Sequence, residues 1–507
     1  MRKRIMQSRK NRLSVRLKRS TTSVQLVLVI WVLIASTPAG PVATAAAADK
    51  DRPLEEALLR NEKWLGDFDE MVKQRTIRAL VVYSKTFYFL DRGRQRGITY
   101  EFLKEFEKFV NNKLKTKKLK IHVVIIPVRR DELIPGLVEG FGDIAAANLT
   151  ITPERQKQVD FSNPLLSGVK ELLVTGPAAP PVTSLDDLAG AEIHVRRSSS
   201  YYESLVQLNE SFKRAGKPQI ELVLADEIFQ DEDLLEMVNA GLNPMIVMDS
   251  HKAKFWEQVF DDIRVHPDIA VRTGGEIAWM FRKKSPKLAA VVNEFLKGHK
   301  MGTLFGNILL KRYLRDTKYV KNSVSEEELK KFKAMVEYFK KYADQYDFDY
   351  LMIGAQAYQE SGLEQNKRSP AGAVGVMQLL PSTAADPNVG IANIEKLENN
   401  IHAGTKYLRF IIDQYYKDES MDDVDKLLFA FASYNAGPAK VNGLRKKAAG
   451  TGLNPNVWFH NVEMVAAKEI GRETVQYVSN IYKYYIVYRM LTAQAETKKR
   501  LLEKKSD

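Results

Sequence analysis

The feature that most constrains the fold is a change of hydrophobic pattern near residue 315. Before it, short apolar or β-branched runs, such as 77–83, 120–126 and 192–196, alternate with segments of helical spacing. Such alternation predicts βαβ units and a mostly parallel sheet. Beyond residue 325 the spacing is helical almost throughout. Because 507 residues are too many for one ordinary core, we expect separate α/β and mainly helical domains.

The first 48 residues predict a secretory signal peptide. Nine Lys and Arg lie within residues 2–19 without a single acid, and an apolar run, Val24 to Ala35, and small residues up to Ala48 follow. Those nine account for most of the net charge of +14, leaving +5, so the basic balance reflects targeting rather than a nucleic-acid partner. The apolar run is short for a spanning helix, which needs about 20 residues, although an uncleaved anchor stays open.

Composition shifts divide the remainder of the chain. The pattern of the α/β region predicts two lobes joined by crossing strands, an arrangement that suits a cleft closing on a ligand. A Pro-rich breaker marks the exchange between lobes. The predicted segments are a lead-in (49–74), the two-lobed α/β domain (75–315, with the exchange near 177–182), a linker (316–325), a helical domain (326–495) and a charged tail (496–507).

The chain contains no cysteine, which excludes disulfides, thiolate metal sites and a lipidated N-terminal cysteine. Any membrane attachment is therefore expected to be peripheral or through the leader. The seven histidines lack the close spacing of zinc ligands, so we predict neither a metal nor a cofactor.

Glu360 is the candidate general acid. It ends a helix-like run and precedes a Gly-rich apolar segment, 369–383. A carboxyl held among apolar groups loses hydration, which raises its pKa toward the range useful for protonating a glycosidic oxygen. A single Glu on an amphipathic helix is more often solvated. Two further motifs, at residues 430–438 and 473–478, favour a catalytic role for Glu360 over a solvated one.

Together these segments resemble the soluble lytic transglycosylase domain, a goose-lysozyme-like helical fold. The matching residues are Glu-Ser at 360–361, Gly-Ala-Val-Gly-Val-Met-Gln-Leu at 372–379, Ser-Tyr-Asn-Ala-Gly-Pro at 433–438 and Glu-Thr-x-x-Tyr-Val at 473–478. The resemblance implies that Glu360 cleaves the bond between N-acetylmuramic acid and N-acetylglucosamine and leaves a 1,6-anhydromuramoyl end.

The resemblance also assigns roles by position. It implies that Ser369, Met377 and Gln378 line the sugar groove, that Tyr434 and Asn435 orient the N-acetyl groups or the developing oxocarbenium, and that Tyr477 hydrogen-bonds near Glu360. For Met377 a core-filling role is equally consistent with the residue type. Glycosidases usually use two carboxylates, and spacing alone leaves ordinary hydrolysis open, since four further acids are available: Glu364, Asp386, Glu398 and Glu473.

In the α/β region, residues 148–164 resemble the signature of polar amino-acid-type solute-binding domains. The resemblance implies that Thr150 and Arg155 bind a ligand carboxylate and that Asp249 holds its amino group. A guanidinium suits a carboxylate because its planar fork matches it bidentately. Arg155 could instead pair locally with Glu154 or Asp160. Where the family usually has a Gly-containing anion-binding turn, this chain has residues 196–200, Arg-Arg-Ser-Ser-Ser, so the ligand chemistry is expected to differ.

The whole order of segments resembles the membrane-bound lytic transglycosylases of the F type. It implies a periplasmic enzyme, attached peripherally to the outer membrane, that acts on peptidoglycan strands and is modulated by an amino acid or muropeptide in the first domain. Two alternatives stay open at this point: a lysozyme-like peptidoglycan hydrolase, and a non-catalytic solute-binding protein that docks on murein.

Overall fold

A computed structural model describes residues 63–91, 93–317, 320, 326–417 and 420–506 of the protein. The predicted signal peptide, part of the lead-in and most of the predicted linker lie outside the described residues. Within the described part, no helix is both long enough and apolar enough to cross a membrane.

Eight strands form one continuous sheet in the order β4-β1-β5-β11-β7-β10-β8-β9, with a ninth, β6, paired to β11. The outer strands on both sides pair in parallel, and the central ones, around β11 and β7, pair antiparallel. The strands are β1 Thr76–Val81, β2 Phe89–Asp91, β3 Arg94–Arg96, β4 His122–Pro127, β5 Ile144–Thr150, β6 Val159–Phe161, β7 Leu166–Thr175, β8 Glu192–Val195, β9 Glu221–Leu224, β10 Met245–Asp249 and β11 Arg264–Arg282.

Helices cover the sheet and make up most of the C-terminal half. They are α1 Phe68–Gln74, α2 Ile98–Lys113, α3 Leu133–Val138, α4 Pro153–Gln156, α5 Ser200–Arg214, α6 Asp231–Asn239, α7 Ser250–Trp256, α8 Pro286–His299, α9 Leu304–Leu314, α10 Glu326–Tyr346, α11 Tyr350–Ser361, α12 Pro381–Ala385, α13 Leu397–Tyr415, α14 Asp423–Ala436, α15 Pro438–Gly450, α16 Glu463–Glu469 and α17 Arg472–Ser506.

Two long strands connect the lobes. β7 carries the chain from the first lobe, built on β4, β1 and β5, into the second, built on β10, β8 and β9, and the 19-residue β11 brings it back. Register shifts interrupt the pairing of β11 with β7, as expected where a strand bends between two packed bodies. The predicted fold class, a two-lobed α/β domain followed by a mainly helical one, is confirmed.

Helix α11 lies in the core of the helical domain, and its ends carry the expected local signals. The Asp349 side chain accepts a hydrogen bond from Leu351 N at the start, and Gly362 adopts a left-handed conformation at the end. Seven of the twelve residues of α11 are buried, six of them in the unbroken run 352–357. One continuous apolar cluster joins this core to that of the first lobe, so the two domains pack together rather than being held by a linker alone.

Helix α17 differs from the sequence expectation. The residues predicted to be a charged tail continue the helix through Ser506. The stretch from Ala493 onward is rich in Ala, Glu, Lys and Leu and contains neither Gly nor Pro, so nothing in it stops a helix. The extension contacts the second lobe, since Lys498 Nζ lies 2.6 Å from Asp233 Oδ1.

Candidate active site and interlobe cleft

Glu360 occupies the last turn of α11, with its side chain half-buried against α17. The hydroxyl of Tyr477, on α17, donates a hydrogen bond of 2.5 Å to Glu360 Oε1. The structure thus brings together the first and fourth sequence motifs, which are 117 residues apart.

Burial raises the pKa of Glu360 from 4.5 to about 7, against the Tyr477 hydrogen bond and the Lys367 charge, which lower it. Such a carboxyl is substantially protonated near neutrality and can act both as acid and as base. Tyr477 and Lys367 are the groups that act on it, and no second carboxylate of the described residues is among them. The acids weighed as partners lie elsewhere: Glu364, for example, pairs with Arg94 on the surface.

Gln356, one helical turn before Glu360, was not singled out from the sequence. It is fully buried, and its Nε2 donates to the Tyr477 oxygen at 3.3 Å. The phenol therefore accepts from Gln356 and donates to Glu360, which fixes the direction of its proton. The sequence feature that could have identified Gln356 is its spacing of four residues from Glu360, which places both side chains on one face of the helix.

Asn400, on α13, was also missed, and it shapes the Gly-rich loop beside Glu360. Its side chain is fully buried, accepts from Met377 N at 2.7 Å and donates to the carbonyls of Val374 and Ile394. Gly375 has a φ of +80°, and a Cβ there would come within 2.5 Å of the Asn400 amide. The glycine is thus required by the close approach of this buried asparagine.

The structure places Met377 in the core rather than in a groove. Its side chain has 0% exposure and packs against Gly404, so a glycan cannot reach it. Its carbonyl accepts a hydrogen bond from the Tyr434 hydroxyl at 2.8 Å. Met377 therefore fills the core and does not line the sugar groove, because the Gly-rich loop turns inward around Asn400.

Ser369 and Gln378 both hold the loop in shape. Ser369 Oγ accepts from Ala373 N at 3.0 Å, and Gln378 Nε2 donates to the Gly375 carbonyl at 2.8 Å. Both residues are only partly buried, so each keeps a surface toward solvent beside Glu360's loop.

Tyr434 and Asn435 end helix α14. Burial first, and then the nearby Glu360, raises the pKa of Tyr434 well above its usual value, which places the phenol in electrostatic reach of that carboxyl. Asn435 is exposed, and its Oδ1 accepts from Thr474 Oγ1 at 2.7 Å. The third motif therefore lies against the first and the fourth.

The interlobe cleft is the place where Thr150 and Arg155 of the first lobe meet Ser200 and Asp249 of the second. The lobes are in direct contact here. Ser200 Oγ donates to Thr150 Oγ1 at 3.2 Å, and the Arg155 guanidinium donates to the carbonyls of Thr150 and Ser198 at 2.9 Å each. Arg155 pairs with Glu203 at 3.5 Å, not with its sequence neighbours Glu154 or Asp160.

Asp249 is buried at the end of β10. Its Oδ2 accepts from Asn148 of the first lobe at 2.7 Å, and its Oδ1 is without a hydrogen-bond partner among the described atoms. Arg155, Thr150 and Asp249 thus lie in one buried region between the lobes.

A group of buried charges next to Asp249 was not foreseen. Asp231 is held by Arg196 and by Lys252, whose Nζ lies 2.6 Å away. Burial pushes the pKa of Asp231 up, but Lys252 and Arg196 outweigh it and hold the pKa well below its usual range. Arg196 belongs to the segment that departs from the usual anion-binding turn, and its side chain pairs with Asp231 inside the second lobe.

Sequence comparisons match both halves of the chain. Residues 83–311 match the family of bacterial extracellular solute-binding proteins, family 3, and residues 337–454 match the transglycosylase SLT domain. A protein of Shewanella halifaxensis called membrane-bound lytic murein transglycosylase F is 30% identical over 427 residues, covering 80% of this chain and 84% of its own length. One of the same name from Pseudomonas fluorescens is 28% identical, covering 83% and 87%.

Among solved structures, an ancestral amino acid-binding protein, a precursor of cyclohexadienyl dehydratase, shares 23% identity with this chain. It covers 48% of this chain and 98% of its own, with a TM-score of 0.40.

Proposed function

The chain belongs to the membrane-bound lytic murein transglycosylase F family, and on that premise we propose that Glu360 is the catalytic acid and base of a peptidoglycan lytic transglycosylase. The observation that carries the proposal is the Glu360 carboxyl itself. It is dehydrated enough to stay partly protonated at neutral pH, it accepts one short hydrogen bond from Tyr477, and no second carboxylate of the described residues acts on it.

In the proposed reaction, Glu360 gives its proton to the oxygen that links N-acetylmuramic acid to N-acetylglucosamine, and the bond from that oxygen to the muramoyl anomeric carbon breaks. The primary hydroxyl of the same muramoyl sugar then bonds to the anomeric carbon and returns its proton to Glu360. The product carries a 1,6-anhydro ring, and no water is consumed. An internal nucleophile is favoured because it is already tethered at the reacting carbon.

Tyr477 supports both steps. Its hydroxyl stabilises the carboxylate that forms as the proton leaves, and hydrogen bonds to charged groups contribute about 1.5–3 kcal/mol. Tyr434 and Asn435 flank the same place and are proposed to orient the sugar, with Ser369 and Gln378 presenting the loop. We do not extend this role to the Met377 side chain, because it is enclosed in the core.

Product analysis tests the proposal and separates it from hydrolysis. Sacculi digested with the wild-type protein should yield muramoyl ends lighter by one water than reducing ends, as measured by mass spectrometry. Glu360→Gln should release no product. Glu364→Gln is the matched control, because this exposed acid four residues away pairs with Arg94 at the surface, and it should leave turnover unchanged.

Reducing muramic ends would identify a hydrolase instead. Murein binding without turnover in the wild type would identify the docking protein. Turnover retained in Glu360→Gln would remove Glu360 from the chemistry.

We also propose that a small ligand in the interlobe cleft modulates the enzyme. Support comes from α17, which carries Tyr477 at its start and contacts both lobes further along. Lys483 Nζ lies 3.0 Å from Glu107 in the first lobe, and Lys498 pairs with Asp233 in the second. A change in the angle between the lobes would therefore displace α17, the helix that positions Tyr477, the hydrogen-bond donor to Glu360.

The proposed location is the periplasm, where peptidoglycan lies, with peripheral attachment to the outer membrane. The relatives' names include the words membrane-bound, and the leader-like residues 1–48 supply an export signal. Fractionation of cells producing the protein, with salt washing of the membranes, tests both parts.

A further inference from the structure

Gln356 of α11 is a buried polar residue that uses only one end of its amide. Its side chain is 0% exposed, and its Nε2 donates to the Tyr477 oxygen at 3.3 Å. Within the described structure, its Oε1 has no hydrogen-bond partner. A buried acceptor without a partner lowers stability, and an apolar side chain of the same length would fill the space without that cost. The amide of Gln356 therefore indicates a role other than packing.

The direction of the Gln356 amide follows from the proton of Tyr477. A phenol has a single hydroxyl proton, and Tyr477 gives it to Glu360 Oε1 at 2.5 Å. A second acceptor beside the Tyr477 oxygen would have no proton to receive, whereas an N–H group can donate to that oxygen. Gln356 therefore presents Nε2, and not Oε1, to the phenol. Two hydrogen bonds of fixed direction run from Gln356 through Tyr477 to Glu360.

The two carboxyl oxygens of Glu360 have different surroundings. Oε1 faces the Tyr477 hydroxyl of α17. Oε2 accepts no hydrogen bond from the described residues and is not among their buried unpaired atoms, so in this half-buried residue it lies open to solvent. Lys367 and Tyr434 of α14 also act on the carboxyl electrostatically. Lys367 donates to the backbone carbonyl of Glu360, and Tyr434 donates to that of Met377, so neither directs the carboxyl proton.

The direction of these two hydrogen bonds decides which oxygen of Glu360 carries the proton. If the Tyr477 oxygen were free, a protonated Glu360 could donate to it from Oε1, and the proton would point into the core. Because Gln356 already donates to that oxygen, Tyr477 stays a donor toward Oε1. A protonated Glu360 then carries its hydrogen on Oε2, the oxygen that a glycosidic bond can approach.

We propose that Gln356 is a positioning residue that confines the transferable proton of Glu360 to Oε2, by keeping the Tyr477 hydroxyl directed at Oε1. The inference rests on the proposed transglycosylase reaction and extends it to a residue that acts through Tyr477. In the acid step the proton passes from Oε2 to the glycosidic oxygen as the glycosidic bond breaks. In the base step the primary hydroxyl of the muramoyl sugar returns its proton to the same Oε2.

Gln356→Met in the full chain tests the proposal, because methionine fills a similar volume without a donor. At about pH 5 the maximal rate of muropeptide release from sacculi should fall about threefold to tenfold, since part of the protonated enzyme then carries its hydrogen on Oε1. The alkaline limb of the pH profile should move upward by about 0.5–1 pH unit, because the neutral carboxyl gains a bond to Tyr477. Tm should stay the same or rise, because the unpaired buried oxygen is removed.

A double-mutant cycle with Tyr477→Phe separates this role from packing. Without a phenol to direct, adding Gln356→Met to Tyr477→Phe should change neither the rate nor the pH profile further. Thr405→Val is the matched control. Thr405 is fully buried in α13, and its hydroxyl donates to the Ile401 carbonyl of its own helix at 2.8 Å. This variant should keep the wild-type rate and the wild-type alkaline limb.

The outcomes separate this inference from the function on which it rests. Three results would each overturn the role of Gln356 and leave the proposed role of Glu360 standing: an unmoved alkaline limb in Gln356→Met, an equal loss of rate in the Tyr477→Phe background, or a Gln356→Met protein that does not fold or has a lower Tm. A wild type that releases no product overturns both proposals. Reducing muramic ends from the wild type would overturn transglycosylation alone, because a hydrolase also needs the acid proton on Oε2.

Discussion

Replacing Tyr477 by Phe tests the electrostatics of the proposed catalytic carboxyl, that of Glu360, most directly. The phenol donates a hydrogen bond of 2.5 Å to Glu360. This bond lowers the pKa of Glu360, but burial raises that pKa more, and the net value is about 7. A hydrogen bond to a charged group contributes about 1.5–3 kcal/mol, which corresponds to about 1–2 pKa units. Tyr477→Phe should therefore bring the pKa of Glu360 to about 8–9.

The sign of the effect on activity follows from the proposed role of Glu360 as an acid. Activity falls as pH rises through its pKa, so the alkaline limb of the pH profile should move upward by about 1–2 pH units in Tyr477→Phe. At about pH 5, where both proteins are protonated, the rate should fall about 10–100-fold, because the forming carboxylate has lost its donor. The assay is the initial rate of muropeptide release from sacculi across pH.

Tyr488→Phe is the matched control. Tyr488 is a buried tyrosine on the same helix, and its hydroxyl donates to the Gly93 carbonyl at 2.7 Å instead of to Glu360. It should leave the alkaline limb in place. An unmoved limb in Tyr477→Phe, or an equal movement in Tyr488→Phe, would refute the reasoning.

Three further outcomes are expected. Glu360→Gln should raise the free energy of unfolding, measured in urea, by about 3 kcal/mol above about pH 8 and by little near pH 4. The reason is that the pKa of Glu360 is raised from 4.5 to about 7 on folding, so ionisation of this buried carboxyl destabilises the wild type progressively as pH rises between those values. A pH-independent gain would contradict this. Asn400→Ala should lower stability by about 3 kcal/mol or more, since three buried hydrogen bonds are lost, whereas Asn399→Ala, with contacts at the surface, should cost less than about 1 kcal/mol. Lys498→Ala should reduce the rate response to a cleft ligand about fivefold without changing the basal rate, because its partly buried ion pair with Asp233 contributes about 1 kcal/mol of coupling. Lys499→Ala is the control and should keep the full response, because its partner Glu503 is on the same helix.

The fold class could be predicted because it depends on local pattern. β-branched runs at 77–83 and 120–126 became β1 and β4, and Asp349 and Gly362 delimit α11 as caps do. Crossing strands between the lobes were predicted, but the position and length of the long strand β11 were not. Its residues alternate weakly, with a Pro and two Gly inside, and only pairing with both β7 and β5 makes them a strand.

The sequence by itself identified the candidate residues of both sites: a Glu ahead of a Gly-rich loop, a Tyr-Asn pair, a distant Tyr, and an Arg and an Asp in the α/β domain. These types and spacings are local, so they can be read without coordinates. Tertiary structure alone decided which of them meet. It buried Met377, placed Asn400 behind Gly375, aimed Gln356 at Tyr477 and left one oxygen each of Glu171 and Asp249 unpaired. Dehydration and hydrogen bonding depend on neighbours far apart in the chain, and only folding brings those neighbours into contact.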